Sequence, residues 1–257
     1  MIKLERAIYE KSEGIGIVTI DNEEQLNALS PEVRRDLYKV YDEVEKDDDI
    51  KIMILTGKGK AFCAGADIST VINLKDLKGA HLFLHEIMDF LSYLESFPKP
   101  VIAAVNGFAL GGGIEVALSC DIIIASEKAR FGGPEAAIGV VPGFAMLRLP
   151  QVVGPHRAKE IMMTCRQVPG EEAYRMGLAT KLVPHEKLME ESIATAKEIM
   201  SKAPMAIQLI KSCVNRHFGG EEMSFGVDAT THLFATEDQK EGMSAFLNKR
   251  KPNFQGK

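Results

Sequence analysis

The sequence predicts an α/β protein with a largely parallel sheet in its core and a helical C-terminal segment. Three observations indicate this fold class. Short apolar segments rich in β-branched residues alternate with segments of helical periodicity over the first part of the chain. Glycine-rich turns follow two of the apolar segments, and beyond about residue 150 successive helical patterns replace the alternation. Alternating strands and helices require crossover connections, which favour parallel pairing.

The first predicted unit is a strand, a helix and a second strand. Residues 14–20 (GIGIVTI) and 50–56 (IKIMILT) have the composition of buried strands. Between them, Ser30 supplies an N-cap and Pro31 stands at the first helical position, and apolar residues then recur at helical spacing as far as Val44.

The next predicted elements repeat this order. A helix at 81–94 precedes a strand at 101–105, a glycine-rich turn with a short helix, and a strand at 120–125. The C-terminal segment is then predicted to contain helices at 155–165, 171–177, 186–202, 204–217 and 237–247.

Composition and charge exclude several classes of protein. The 257 residues are 46% hydrophobic and 26% charged, as in an ordinary globular protein, and the net charge of −5 disfavours nucleic acid or an anionic membrane as a partner. The N-terminus reaches charged residues at once, so we expect a cytoplasmic protein. The cysteines lie far apart and predict neither disulfides nor a zinc site: Cys63, Cys120, Cys165 and Cys213.

The segment 106–115 (NGFALGGGIE) is a candidate anion site. Its three consecutive glycines follow a predicted strand and open a helix, whose unpaired N–H groups and positive dipole end attract negative charge. It matches neither a Rossmann fingerprint nor a P-loop. Glu115 lies three residues after Gly112, so its carboxylate and the Gly112 N–H are predicted to face one pocket. A helix-capping or exposed glutamate is the ordinary alternative.

Two further segments carry candidate residues. Small residues follow a buried strand at 59–68 (GKAFCAGADI), which permits a tight turn but is also typical of an ordinary loop. Glu135 stands among glycines, a proline and apolar residues, and a carboxyl group buried in such surroundings has a raised pKa. The alternative is a solvent-facing loop glutamate.

Together these segments resemble the enoyl-CoA hydratase/isomerase, or crotonase, family. The resemblance begins at IVTIDNEEQLNALS and covers nearly the whole chain. The most specific motifs are AFCAGADI, NGFALGGGIE, FGGPEAAIGVVPG and the C-terminal TEDQKEGMSAFLNKRKPNF.

The resemblance implies a spiral of repeated ββα units (residues 1–195) with a helical trimerisation segment (196–257), assembled as a homotrimer or homohexamer. It implies a coenzyme A thioester as substrate, with no cofactor beyond that CoA. By position, Ala66 and Gly112 match the family's oxyanion-hole amides, and Glu115 and Glu135 match the glutamates of its hydratases. The residues that match backbone positions lining the family's CoA site are Ala28, Ala64, Asp67 and Ile68.

The function implied is hydration of a 2-enoyl-CoA to a 3-hydroxyacyl-CoA. Two amides on the thioester oxygen would stabilise the developing enolate, and two carboxyl groups would move the protons. We assign water activation to Glu115 and proton transfer at C2 to Glu135.

The chain departs from the pattern of this family in two places. Hydratases of the family commonly continue AGGTQRL after the PG motif, whereas Phe144 and Met146 stand here and are expected to narrow or reshape the acyl pocket. A frequent lysine after GADI is Ser69, which leaves the basic run 249–251 as a candidate phosphate contact or as solubilising charge.

Several alternatives stay open at this stage. Another enolate reaction on a CoA thioester, such as isomerisation, hydrolysis or hydration of a cyclic dienoyl-CoA, fits the altered loop. Some proteins that resemble the family bind AU-rich RNA, which the net charge disfavours, and a purely structural subunit is a third possibility. His81 and His85 have the spacing of two zinc ligands but no HExxH motif, so we expect no metal. Cys63 is expected to be a packed thiol rather than a nucleophile.

Overall fold

The computed structural model describes residues 1–202, 204–215, 231 and 234–253. In these parts of the chain the strands form two sheets. The larger has the order β1-β2-β3-β4-β6-β8-β11 and the smaller β10-β9-β7-β5. The strands are β1 Ile2–Lys3, β2 Ala7–Ser12, β3 Ile15–Ile20, β4 Ile52–Gly57, β5 Ala61–Cys63, β6 Val101–Val105, β7 Phe108–Leu110, β8 Ile122–Ser126, β9 Arg130–Gly132, β10 Val168–Pro169 and β11 Lys181–Val183.

The larger sheet confirms the predicted parallel core. Strands β3, β4, β6, β8 and β11 pair in parallel, whereas β1 and β2 extend the sheet as antiparallel edge strands. The predicted strand 101–105 is β6, and the other three predicted strands coincide with β3, β4 and β8 to within two residues at each end.

The smaller sheet creates the repeated ββα unit. Strand β5 follows β4, β7 follows β6 and β9 follows β8, so that these three strands of the larger sheet are each continued by a three-residue strand of the smaller sheet. A helix then returns the chain to the larger sheet. The spiral of ββα units is therefore confirmed, although the short strands were not predicted from periodicity.

Helices surround these sheets: α1 Pro31–Lys46, α2 Ile68–Ile72, α3 Leu77–Glu95, α4 Gly112–Leu118, α5 Ala145–Val153, α6 Pro155–Thr164, α7 Gly170–Arg175, α8 Leu188–Met200, α9 Pro204–Asn215 and α10 Glu237–Leu247. Helix α1 begins as predicted, with the Ser30 hydroxyl accepting the Val33 N–H at 3.3 Å. Helix α5 was not predicted.

The core lies on both faces of the larger sheet. Along β4, Met53 and Leu55 belong to the cluster beneath α1 and α3, whereas Ile52 and Ile54 belong to the cluster beneath α8. This alternation explains why β4 is apolar throughout, since both of its faces are buried.

The C-terminal segment is helical over α8, α9 and α10. The predicted helix 237–247 coincides with α10, and residues 216 and 217 of another predicted helix lie outside the described residues. The predicted division after residue 195 falls within α8 and stays a prediction. No helix in the described ranges has the length and hydropathy needed to cross a membrane.

Candidate active site

A cavity of about 400 Å³ opens between the smaller sheet and the helices that cover it. Most of its wall is apolar, and the two glutamates singled out from the sequence are part of it. Side chains of α3, the N-terminus of α4, a 3₁₀ turn at Pro134–Ile138 and side chains of α10 all contribute. A concave, mostly apolar pocket with a few convergent polar groups is the usual form of a small-molecule site.

The amides of Ala66 and Gly112 face this cavity next to each other. Gly65 has φ +102°, and its carbonyl accepts the Leu29 N–H at 2.8 Å, which fixes the turn that carries Ala66. A methyl group built on the Cα of Gly112 would lie 3.4 Å from the Ala66 nitrogen. The two amides therefore lie close enough to serve one ligand atom.

Both amides are available to a ligand. Gly112 is the first residue of α4, so its N–H has no partner within the helix. Among the described residues, no hydrogen-bond acceptor is found for either N–H. The positive end of α4 adds to the attraction for negative charge.

Glycine at position 113 permits this arrangement. A Cβ there would lie 1.8 Å from the Cys63 carbonyl oxygen, far inside van der Waals contact. Helix α4 thus packs directly on the backbone at the end of β5, which brings the Gly112 amide to the loop of Ala66.

Glu115 is buried one turn along α4. Its Oε1 accepts hydrogen bonds from the Phe144 N–H at 2.8 Å and the Ala145 N–H at 3.0 Å, and the residue is 5% exposed. Burial raises the pKa of this carboxyl group above its usual range, and the two N–H donors partly offset that effect because they stabilise the charged form.

Glu135 lies in the 3₁₀ turn and reaches the same cavity. The residue as a whole is half-buried, but its Oε2 is buried and has no hydrogen-bond partner among the described residues. Burial, followed by repulsion from the charge of Glu115, raises the pKa of Glu135 well above its usual range. Gly111, at φ +56°, leaves room for it, since a Cβ there would lie 3.0 Å from Oε1.

Helix α10 supports the turn of Glu135 from behind. A Cβ on Gly139 would lie 2.5 Å from the Cα of Gln239, and a Cβ on Gly242 would lie 2.3 Å from the carbonyl carbon of Ile138. The turn and the helix therefore touch backbone to backbone, and the position of Glu135 depends on residues about a hundred places later in the chain.

The structure brings together six of the eight predicted site residues. Those that line the cavity are Ala64, Ala66, Ile68, Gly112, Glu115 and Glu135. Ala28 is buried and lies outside the cavity wall. Asp67 also lies outside the cavity wall, and its side chain caps α2: the carboxylate accepts the Ser69 N–H at 3.0 Å and the Thr70 hydroxyl at 3.0 Å.

Of the two residues that depart from the family's pattern after the PG motif, one lines the cavity. Phe144 is 1% exposed and lines the cavity, whereas Met146 is partly buried and does not. The basic run 249–251 also lies outside the cavity wall, and Arg250 forms an ion pair with Glu241 at 2.7 Å.

Sequence reasoning missed the part of the wall that α10 and the residues before it supply. Phe234, Met243 and Phe246 line the cavity, and no local pattern pointed to a ligand there. In α3, Leu84, Ile87 and Met88 also line it.

The two rejected sites have simple structural roles. Cys63 is fully buried, and burial raises the pKa of its thiol to about 12, so it is not a thiolate at neutral pH. The rings of His81 and His85 meet edge to face at 4.3 Å. In the described ranges no cluster of three or more potential metal ligands is found, and the absence of a metal stays a prediction.

Comparison with known proteins matches the chain to the enoyl-CoA hydratase/isomerase family by sequence and by structure. The family model for enoyl-CoA hydratase/isomerase matches residues 10–257. The short-chain-enoyl-CoA hydratase of Clostridium acetobutylicum is 41% identical, with 97% of each chain covered. The crotonyl-CoA hydratase of Syntrophomonas wolfei is also 41% identical, over 97% of this chain and 98% of the relative. The crystal structure of carnitinyl-CoA hydratase from Mycobacterium avium superimposes with a TM-score of 0.88 at 31% identity, covering 99% of this chain and 100% of that one.

Proposed function

This chain belongs to the enoyl-CoA hydratase/isomerase family, and we propose on that basis that it adds water reversibly to the double bond of a 2-enoyl-CoA. The product is a 3-hydroxyacyl-CoA. The observation that carries the proposal is the presence of two glutamates, Glu115 and Glu135, and two unengaged amides in one cavity.

The amides of Ala66 and Gly112 form the oxyanion hole of this proposal. They donate to the thioester oxygen, where negative charge accumulates as water attacks C3 and the bond electrons move toward the carbonyl. Each such donor is worth roughly 3–4 kcal/mol of transition-state stabilisation in comparable enzymes. The apolar wall lowers the local dielectric constant, which strengthens both hydrogen bonds.

The different surroundings of the two glutamates support distinct roles. Two N–H donors favour the charged form of Glu115, so it serves as the base that takes a proton from the attacking water. Glu135 has a buried oxygen without a partner and feels the charge of Glu115, so the neutral acid is favoured and donates its proton to C2. The water oxygen bonds to C3, and the oxyanion collapses to the thioester as C2 is protonated.

The reaction needs only acid–base groups and oxyanion donors. We therefore propose that the CoA portion of the substrate is the single coenzyme involved, and that turnover is unchanged after treatment with a chelator. Location in the cytoplasm is kept as a prediction.

We also propose that α9 joins copies of this chain in a homotrimer or homohexamer. Large apolar side chains of α9 are more than half exposed in the single chain: Met205, Leu209, Ile210 and Val214. Such a patch is typical of a protein interface. Light scattering on the purified protein gives the assembly mass, and a monomer would contradict this proposal.

The first experiment is the hydration of crotonyl-CoA, followed by loss of the conjugated enoyl absorbance and a mass gain of one water. We expect turnover, and we expect Glu115→Gln and Glu135→Gln each to lower kcat about 10²–10⁴-fold. Glu198→Gln, at an exposed residue of α8, is the matched control. If no water is added, or if the mass is unchanged while the double bond moves, the hydratase assignment is wrong.

A further inference from the structure

Phe144 bounds the cavity beside the glutamate that activates water. Its N–H donates to Glu115 Oε1 at 2.8 Å, so its side chain begins next to that carboxylate. Phe144 is buried and is one of the residues that form the cavity wall. Since Glu115 delivers water to C3, the part of the acyl chain beyond C3 must pass Phe144.

The ring of Phe144 is held in place from behind. The Arg148 guanidinium lies over it, 5.1 Å from the ring centroid. Arg148 is 2% exposed and forms two hydrogen bonds with Glu95, at 2.7 Å and 3.1 Å. A two-point contact between guanidinium and carboxylate fixes orientation as well as distance. The ring therefore rests on a buried ion pair and cannot move aside into the space behind it.

A second cavity of about 410 Å³ lies on the far side of this ion pair. Arg148 and Glu95 form part of its wall, and much of the rest is apolar, including Leu118, Ile122 and Ile199. The partition between the two cavities is thus one aromatic ring and one guanidinium thick. Shortening the ring would lengthen the acyl site in that direction.

We propose that Phe144 is the specificity-determining residue that restricts this enzyme to short acyl groups of about crotonyl length. Arg148 and Glu95 are positioning residues that hold its ring against the acyl site. The proposal rests on the hydratase function above and names the substrate class of the same site.

The test compares crotonyl-CoA with 2-decenoyl-CoA in the wild type, Phe144→Ala and Phe144→Leu. A single methylene that a pocket accepts or rejects changes selectivity by about 10-fold or more. We therefore expect Phe144→Ala to raise kcat/KM for decenoyl-CoA relative to crotonyl-CoA at least about 10-fold. Phe144→Leu, which keeps an apolar side chain, should give a smaller change in the same direction.

Phe97→Ala is the matched control. Phe97 is also 1% exposed and packs on Tyr41 and Tyr93, but it lies outside the cavity wall. It should lower stability and leave the ratio of kcat/KM values unchanged. Arg148→Met, which removes the guanidinium, should shift the ratio toward the longer substrate, which a purely structural role would not do.

Calorimetric binding of butyryl-CoA and decanoyl-CoA separates this inference from the function itself. If the wild type fails to hydrate crotonyl-CoA but Phe144→Ala still binds decanoyl-CoA about 10-fold more tightly relative to butyryl-CoA, the proposed hydratase function is wrong and the role of Phe144 is retained. If the ratio of kcat/KM values for the long and the short substrate, and the ratio of the two binding constants, are the same in wild type, Phe144→Ala and Phe144→Leu, Phe144 does not limit acyl length.

Discussion

Replacing Glu135 by glutamine should make the protein more stable at high pH while reducing its activity. The Oε2 of Glu135 is buried without a hydrogen-bond partner, and the charge of Glu115 adds repulsion. Both effects penalise the carboxylate and raise its pKa in the folded protein. The folded state therefore binds more protons than the unfolded state between the unfolded pKa, close to 4.5, and the higher folded pKa.

The sign of the pH dependence follows from this difference. Stability is lost as pH rises from the unfolded pKa toward the folded one, because folding must then either keep a proton on Glu135 or bury its charge. Glutamine cannot ionise, so Glu135→Gln removes this loss. Its own buried amide adds a penalty that does not depend on pH.

A buried polar group without a partner costs ~1–3 kcal/mol, and more if it is charged. One pH unit between the folded and unfolded pKa values corresponds to ~1.4 kcal/mol. We therefore expect the free energy of unfolding of Glu135→Gln to rise relative to wild type by about 2 kcal/mol between about pH 5 and about pH 8.

Urea denaturation at fixed protein concentration measures this difference, with Glu198→Gln as an exposed control whose profile should follow that of the wild type. Fixed concentration matters because association contributes to apparent stability. Parallel profiles for Glu135→Gln and wild type would refute the reasoning, since Glu135 would then carry no burial penalty.

Three further predictions concern the frame of the site. Gly111→Ala should lower stability by ~1–2 kcal/mol because of the positive φ, and it should lower kcat because the new methyl group crowds Glu135. Thermal melts measure the first effect and crotonyl-CoA turnover the second; full activity would contradict the prediction. Asn27→Ala should destabilise the protein by about 3 kcal/mol, because the Asn27 side chain makes three buried or partly buried hydrogen bonds. A loss of unfolding free energy below about 1 kcal/mol in urea denaturation would contradict this. Glu95→Ala should cost ~1.5–3 kcal/mol by removing the two hydrogen bonds that its carboxylate accepts from the Arg148 guanidinium, and an unchanged midpoint in urea denaturation would contradict this.

The residues with the strongest local signals were the easiest to place from the sequence. Gly112 and Glu115 lie on one turn of a helix that follows a clear strand, so helical geometry alone brought them together. The strand 101–105 was found because five consecutive apolar residues leave few alternatives.

Features that depend on contacts distant in the chain could not be predicted in the same way. A strand of three residues, such as β5 or β7, is too short for a periodic pattern, so the smaller sheet was missed. The cavity contacts of Phe234 and Met243 arise only because the chain returns to the 3₁₀ turn. The Asp67 carboxylate caps α2, and the match of its backbone to the family's CoA site stays a prediction.

The contact between α10 and the turn of Glu135 has a consequence for the synthesis of the enzyme. Both glutamates and the amides of Ala66 and Gly112 are translated in the first 135 residues, yet the turn rests against Gln239 and Gly242. A chain still emerging from the ribosome holds the turn of Glu135 but lacks the helix that supports it. We therefore expect this turn to reach its final position only after α10 has been synthesised and has docked.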